Sequence, residues 1–107
     1  MTIFDDGPAK GLTLSLSRAP VFLRVTQTPE GFDALDLIED EPKPAEKLYA
    51  YRRIGESTMC FVDGVKDGRR TGWQEIIARY QLVKEQPSDE RMRSKTAWQD
   101  WCRNAGA

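Results

Sequence analysis

The densest set of groups able to do chemistry in this chain is acidic. Asp36, Glu39, Asp40 and Glu41 lie within six residues, and Glu46 follows closely. Paired carboxylates are a usual means of holding a divalent cation or moving a proton. Their spacing here supports neither role. A calcium loop sets liganding oxygens at alternate positions around a glycine that makes the sharp turn. This segment instead carries Pro42 and Pro44 and has no glycine. It reads as a stiff, solvated acidic loop, and Asp36, Glu39, Asp40, Glu41 and Glu46 read as a surface for a protein partner of opposite charge.

The second set is basic. Lys66, Arg69 and Arg70 fall among the glycines of the stretch 64–72, whose composition suits a loop contacting phosphates. The Walker spacing is absent, so the backbone cradle of a nucleotide site is not expected. Arg52 and Arg53 directly follow Tyr49 and Tyr51, an aromatic and basic combination of the kind that stacks single-stranded bases. No RNP1-like string accompanies it. These five cations define an alternative nucleic-acid-binding reading.

Nucleophilic and metal chemistry have less to work with. The chain has no histidine, which removes the usual general base near neutral pH and the commonest transition-metal ligand. Cys60 and Cys102 form neither a C-x-x-C pair nor part of a zinc set, and no serine stands in a G-x-S-x-G elbow. The expectation is a non-catalytic chain without cofactor or metal.

What positions these residues must be small. The 107 residues, 39% hydrophobic and 31% charged with a mean hydropathy of -0.61, suit one polar-surfaced domain spanning 1–107. Three Trp, three Tyr and four Phe are enough aromatics to seed a core. Residues 1–46 hold four bases and nine acids, residues 47–107 twelve bases and eight acids. The N-terminus has neither the basic nor the apolar region of a secretory leader, and no apolar run reaches membrane-spanning length. Two thiols without a leader suit a reducing compartment, where both would be buried small hydrophobes, so a cytoplasmic protein with no membrane partner is expected.

Alternation of Leu12, Leu14 and Leu16 with polar residues predicts a strand over 11–17, and Val21, Leu23 and Val25 predict a second over 21–28. A turn at Pro29-Glu30-Gly31 leads to a third strand over 32–38, with a short helix as competitor. Residues 47–64 read as a hairpin turning at Gly55-Glu56, with both faces apolar enough to need covering. The stretch 63–72 reads as a loop, and 73–83 as strand or helix, with a strand favoured from about Ala78 to Val83. Ser88 is a good N-cap for a helix over 88–104 whose Trp98, Trp101 and Cys102 share one side. The side of the hairpin bearing Tyr49, Tyr51, Cys60 and Val62 is its expected seat.

Together these predict an α+β fold: a small, strongly bent or barrel-like antiparallel sheet of about five or six strands, mainly within 11–84, with one C-terminal helix packed on it. Size, charge and lack of chemistry are similar in style to the accessory proteins of phages and mobile elements. The expected function is an inhibitor or adaptor that docks a protein through the acidic loop; the alternative is weak nucleic-acid binding through Arg52, Arg53, Lys66, Arg69 and Arg70.

Overall fold

Strands rich in β-branched and aromatic residues dominate the chain, and six of them join in one sheet. The computed structural model describes residues 1–16, 18–35, 41–43 and 46–106. Its elements are β1 (Thr2–Phe4), β2 (Thr13–Leu14), β3 (Phe22–Thr28), β4 (Gly31–Leu35), β5 (Lys47–Lys66), β6 (Arg69–Leu82), α1 (Asp89–Arg93) and α2 (Lys95–Asn104). The strand order is β2-β1-β6-β5-β3-β4. The bent sheet with a C-terminal helical segment is as expected, and the sheet is nearly closed. It is mixed rather than purely antiparallel, because β1 runs parallel to β6. Residues 73–82 are strand, and so are residues 31–35; the predicted strand end at 36–38 lies outside the described residues.

Alternation along the central strands feeds two cores. Leu23 and Val25 of β3, Tyr51 of β5 and Ala78 and Tyr80 of β6 pack with Phe4 and Ala9. Leu14 from one edge of the sheet and Phe32 and Ala34 from the other both reach this cluster, which bends the sheet toward closure. The opposite faces of the same strands supply Phe22, Leu48 and Ala50 to the second core, with Met92 and Trp98 from the helices. Strand β3, between β5 and β4, is therefore buried on both sides from Phe22 to Thr26.

The helix does not sit on the tyrosine side. Tyr51 is fully buried in the first core, where its hydroxyl accepts from the Ala9 amide at 3.0 Å and donates to the Asp6 carbonyl at 3.0 Å. Small Ala50, on the other face, leaves room for Trp98. Arg24 is buried there too, with its guanidinium 5.5 Å from the Trp98 ring centroid and an Nη1 donor 2.9 Å from the Met92 carbonyl. The predicted single helix is two. Ser88 caps α1, and extended Ser94 ends it and caps α2 by accepting from the Ala97 amide, the competition with helical backbone that serine side chains offer. No helix of the described residues is long and apolar enough to cross a membrane.

Candidate functional site

The feature that stands apart from both cores is a ribbon made by the outer halves of β5 and β6. β3 pairs with β5 only as far as Arg52, and β1 pairs with β6 only from Ala78 onward. Beyond those points β5 and β6 pair with each other alone among the described strands, from Thr58↔Ile77 to Lys66↔Arg69. The expected turn at Gly55-Glu56 is not made. Gly55 has φ +66 and sits in a register shift between Ile54 and Thr58, so its left-handed geometry serves a bulge while the strand runs on. The chain reverses instead at Asp67 and Gly68, with φ of 53 and 74, the paired positive values of a two-residue type I′ hairpin.

An isolated two-stranded ribbon is marginal in water, and two aromatic residues support this one. Gly72 leaves space for the Phe61 ring on one face, and Gly64 for the Trp73 ring on the other. Both are diagonal cross-strand pairs, which aromatic side chains are long enough to bridge. The Trp73 indole donates to Glu75 Oε1 at 3.0 Å, and Lys66 Nζ lies 5.1 Å from the Trp73 ring centroid. The Phe61 face has no such cover. Met59, Phe61 and Val65 are 57%, 66% and 70% exposed, on the face that continues, by the alternation of β6, from Ala78 and Tyr80 in the body. The expectation that both sides of this segment are covered is thus corrected, since the flanking strands β1 and β3 and the two cores end before it.

The structure separates the cations of the nucleic-acid reading. Lys66, Arg69 and Arg70 stand at the ribbon tip. Arg52 and Arg53 lie at its root, on the order of 30 Å away for this many extended residues. Even these neighbours diverge. Arg52 lies over Phe22 at 5.8 Å on the helix side. Arg53 points to the other face, donating to the Ala19 carbonyl at 2.5 Å and the Gly55 carbonyl at 3.2 Å. Tyr51 offers no exposed ring for a base, and Tyr49 is half-buried against the first core.

Of the acidic residues, Asp36, Glu39 and Asp40 lie outside the described residues. Glu41 is exposed. Glu46 is anchored: its carboxylate accepts from Thr26 Oγ1 at 2.8 Å, and its carbonyl accepts from Arg93 Nη2. Arg93 also donates to the Lys43 carbonyl at 2.9 Å and pairs with Asp89 at 2.6 Å, so it ties α1 to this part of the chain.

Among the described residues no group of three or more Cys, Asp or Glu is placed to hold a metal ion. Cys60 and Cys102 are both free. Burial pushes the Cys102 thiol up to about 11, against the opposing charge of Arg24, which makes it a poor nucleophile near neutrality. The exposed row Met59, Phe61 and Val65 was not singled out by sequence reasoning, although Asp67-Gly68 between alternating apolar residues is the signal that locates it. Comparison with protein-family models, with curated proteins and with solved structures finds no match to this chain.

Proposed function

We propose that the chain is a small non-catalytic binding module, of inhibitor or adaptor type, that docks a protein partner through the ribbon arm. The row Met59, Phe61 and Val65 supports this reading most directly. Apolar side chains aligned on one face, here with Asp63 between Phe61 and Val65, gain burial only when another surface covers them. A central aromatic such as Phe61 is the residue type that anchors such contacts. Charge supports the same choice, since residues 56–77 carry three bases and four acids, and a polyphosphate backbone would meet as much repulsion as attraction. The acidic segment from Asp36 to Glu46 contributes long-range attraction toward a basic partner in this reading, not the contact itself.

The test is a triple variant, Met59→Ser, Phe61→Ser and Val65→Ser, compared with the parent for partners retained from the native host. The melting temperature should stay nearly constant, because the arm lies outside both cores, although loss of the Phe61 packing on Gly72 loosens the ribbon locally. Retention should drop by on the order of tenfold or more as the anchors are lost. Equal retention by the triple variant would remove the arm from the interface. Loss of retention on charge reversal of Glu39, Asp40 and Glu41, with the arm variant silent, would return the contact to the acidic segment.

The cluster Lys66, Arg69 and Arg70 at the tip of a ribbon gives a second reading, because a two-stranded ribbon fits the major groove of a duplex. Duplex binding that weakens with salt, with a slope reduced by about one for each of Arg69→Ala and Arg70→Ala, would favour it.

A further inference from the structure

At the root of the arm a cleft of about 500 Å³ opens between α2 and the sheet. Phe22 and Trp101 meet edge to face on its helix side, with ring centroids 4.9 Å apart. Trp101 in turn stacks on Trp98 at 5.2 Å, so this aromatic wall is braced by the core. Ile54 and Val83 extend the apolar lining, and exposed Arg52 and Lys84 are its cations. Arg53 contributes backbone only, because its guanidinium is committed to the Ala19 and Gly55 carbonyls on the other face.

The charges of this lining are one-sided. No Asp or Glu is among the described residues that form it. The residue paired with Arg52 across the strands is neutral Gln81, and neither Arg52 nor Lys84 has an ion-pair partner among the described residues. The Arg52 guanidinium is nonetheless placed, 5.8 Å from the Phe22 centroid. A preformed hollow of this volume, mainly apolar with a few convergent polar groups, is what small-molecule sites look like. An inorganic anion would gain only a water-screened contact here. An uncharged apolar molecule would leave the cations unused. A molecule with an apolar body and an anionic head satisfies both parts, and arginine's planar fork suits carboxylate and phosphate alike.

We propose that this cleft binds an amphipathic organic anion, its apolar body against Phe22 and Trp101 and its carboxylate or phosphate on Arg52. The site is separate from the exposed row of the arm and does not depend on the docking reading.

The chain's three tryptophans allow a direct test, since their indole N–H resonances report on different places. Titration with 1-naphthyl phosphate and with 1-naphthoate should shift the Trp101 indole resonance saturably and leave that of Trp73, out on the arm, in place. The tighter of the two probes identifies the head group. Uncharged 1-naphthol should bind about tenfold or more weakly, and Arg52→Gln should weaken the anions by a similar factor while leaving the melting temperature unchanged. Phe61→Ser should change nothing, which keeps the fate of this site distinct from that of the arm. A Trp101 resonance that does not move with either anion up to about 1 mM, equal affinity for 1-naphthol, or unchanged affinity in Arg52→Gln would overturn the proposal.

Discussion

Two buried tyrosines and a half-buried cysteine give this protein a defined response to alkali. Burial raises the Cys102 thiol from 9.0 to about 11 and the Tyr80 phenol from 10.0 to about 12, and it raises Tyr51 as well. In the unfolded chain each group loses its proton at its ordinary value, whereas the fold retains it, so over these intervals the unfolded state binds fewer protons and stability falls as pH rises. Below about pH 8 these groups add almost no slope. Chemical denaturation across the alkaline range should show stability declining as pH passes from about 8 to 9, and Cys102→Ala should move that onset up by about one unit, to where the phenols begin. Identical profiles for parent and variant would mean the thiol is not desolvated by the fold. At neutral pH, Tyr51→Phe leaves the Ala9 amide and the Asp6 carbonyl without their partner. That change should cost about 2 kcal/mol, read as a lower urea midpoint at constant m. Alternation marked Tyr51 as one side of a strand, but only the packing shows that its hydroxyl ends on the turn after β1. Arg24 was equally opaque, because its i+2 neighbours Phe22 and Thr26 do not reveal a helix overhead.

The arm is where local signals compete. Gly55-Glu56, Asp63-Gly64 and Asp67-Gly68 all satisfy turn chemistry, and only the last closes the hairpin. Closing at Gly55 would have paired Arg52 with Met59 and Tyr51 with Cys60. In the structure Arg52 pairs with Gln81 and Tyr51 with Leu82, which places Tyr80 and Ala78 in the first core. Burial of those two residues outweighs a preference between turns of comparable local energy. The arm itself depends on its glycines. A Cβ at Gly72 would collide with the Phe61 ring, and one at Gly64 with the Trp73 ring. In Gly64→Ala with Gly72→Ala, amides of residues 58–77 should lose protection from hydrogen exchange while those of Leu23, Val25 and Tyr51 keep theirs. The melting temperature should move by no more than about 2 °C. A drop beyond about 5 °C would make the ribbon part of the cooperative core.

The whole molecule measures 45 × 30 × 25 Å with a radius of gyration of 14.9 Å, against about 13 Å for an ordinary domain of this length. The projecting ribbon accounts for the excess. Replacing residues 56–77 by an Asn-Gly turn would join the paired ends at Ile54 and Arg79 and leave both cores intact. The shortened chain should fold cooperatively, with a radius of gyration by X-ray scattering reduced toward the ordinary value. It should also keep its naphthyl-anion affinity while losing the partner retained through the arm. An excision that yields an aggregating product would show that the ribbon shapes the body as well as projecting from it.

Local stereochemistry made much of this architecture legible beforehand. Period-2 alternation located β3, the start of β5 and the end of β6, and Ser88 before Asp89 and Glu90 located the start of the helical segment. The aromatic content implied a folded core, and the strand and helix signals together implied an α+β body. These features depend on a few neighbouring residues, whose preferences the chain carries wherever they lie. The acidic segment was legible only as composition. Tertiary structure decided the rest. It seated the helix over Ala50 instead of Tyr51, paired β1 in parallel with β6, divided the five cations between root and tip, and left Met59, Phe61 and Val65 without a cover. Each outcome depends on which distant surfaces meet, and a strand with apolar residues on both faces does not specify which face is covered, or how far, until β1, β3 and the helices have taken their places.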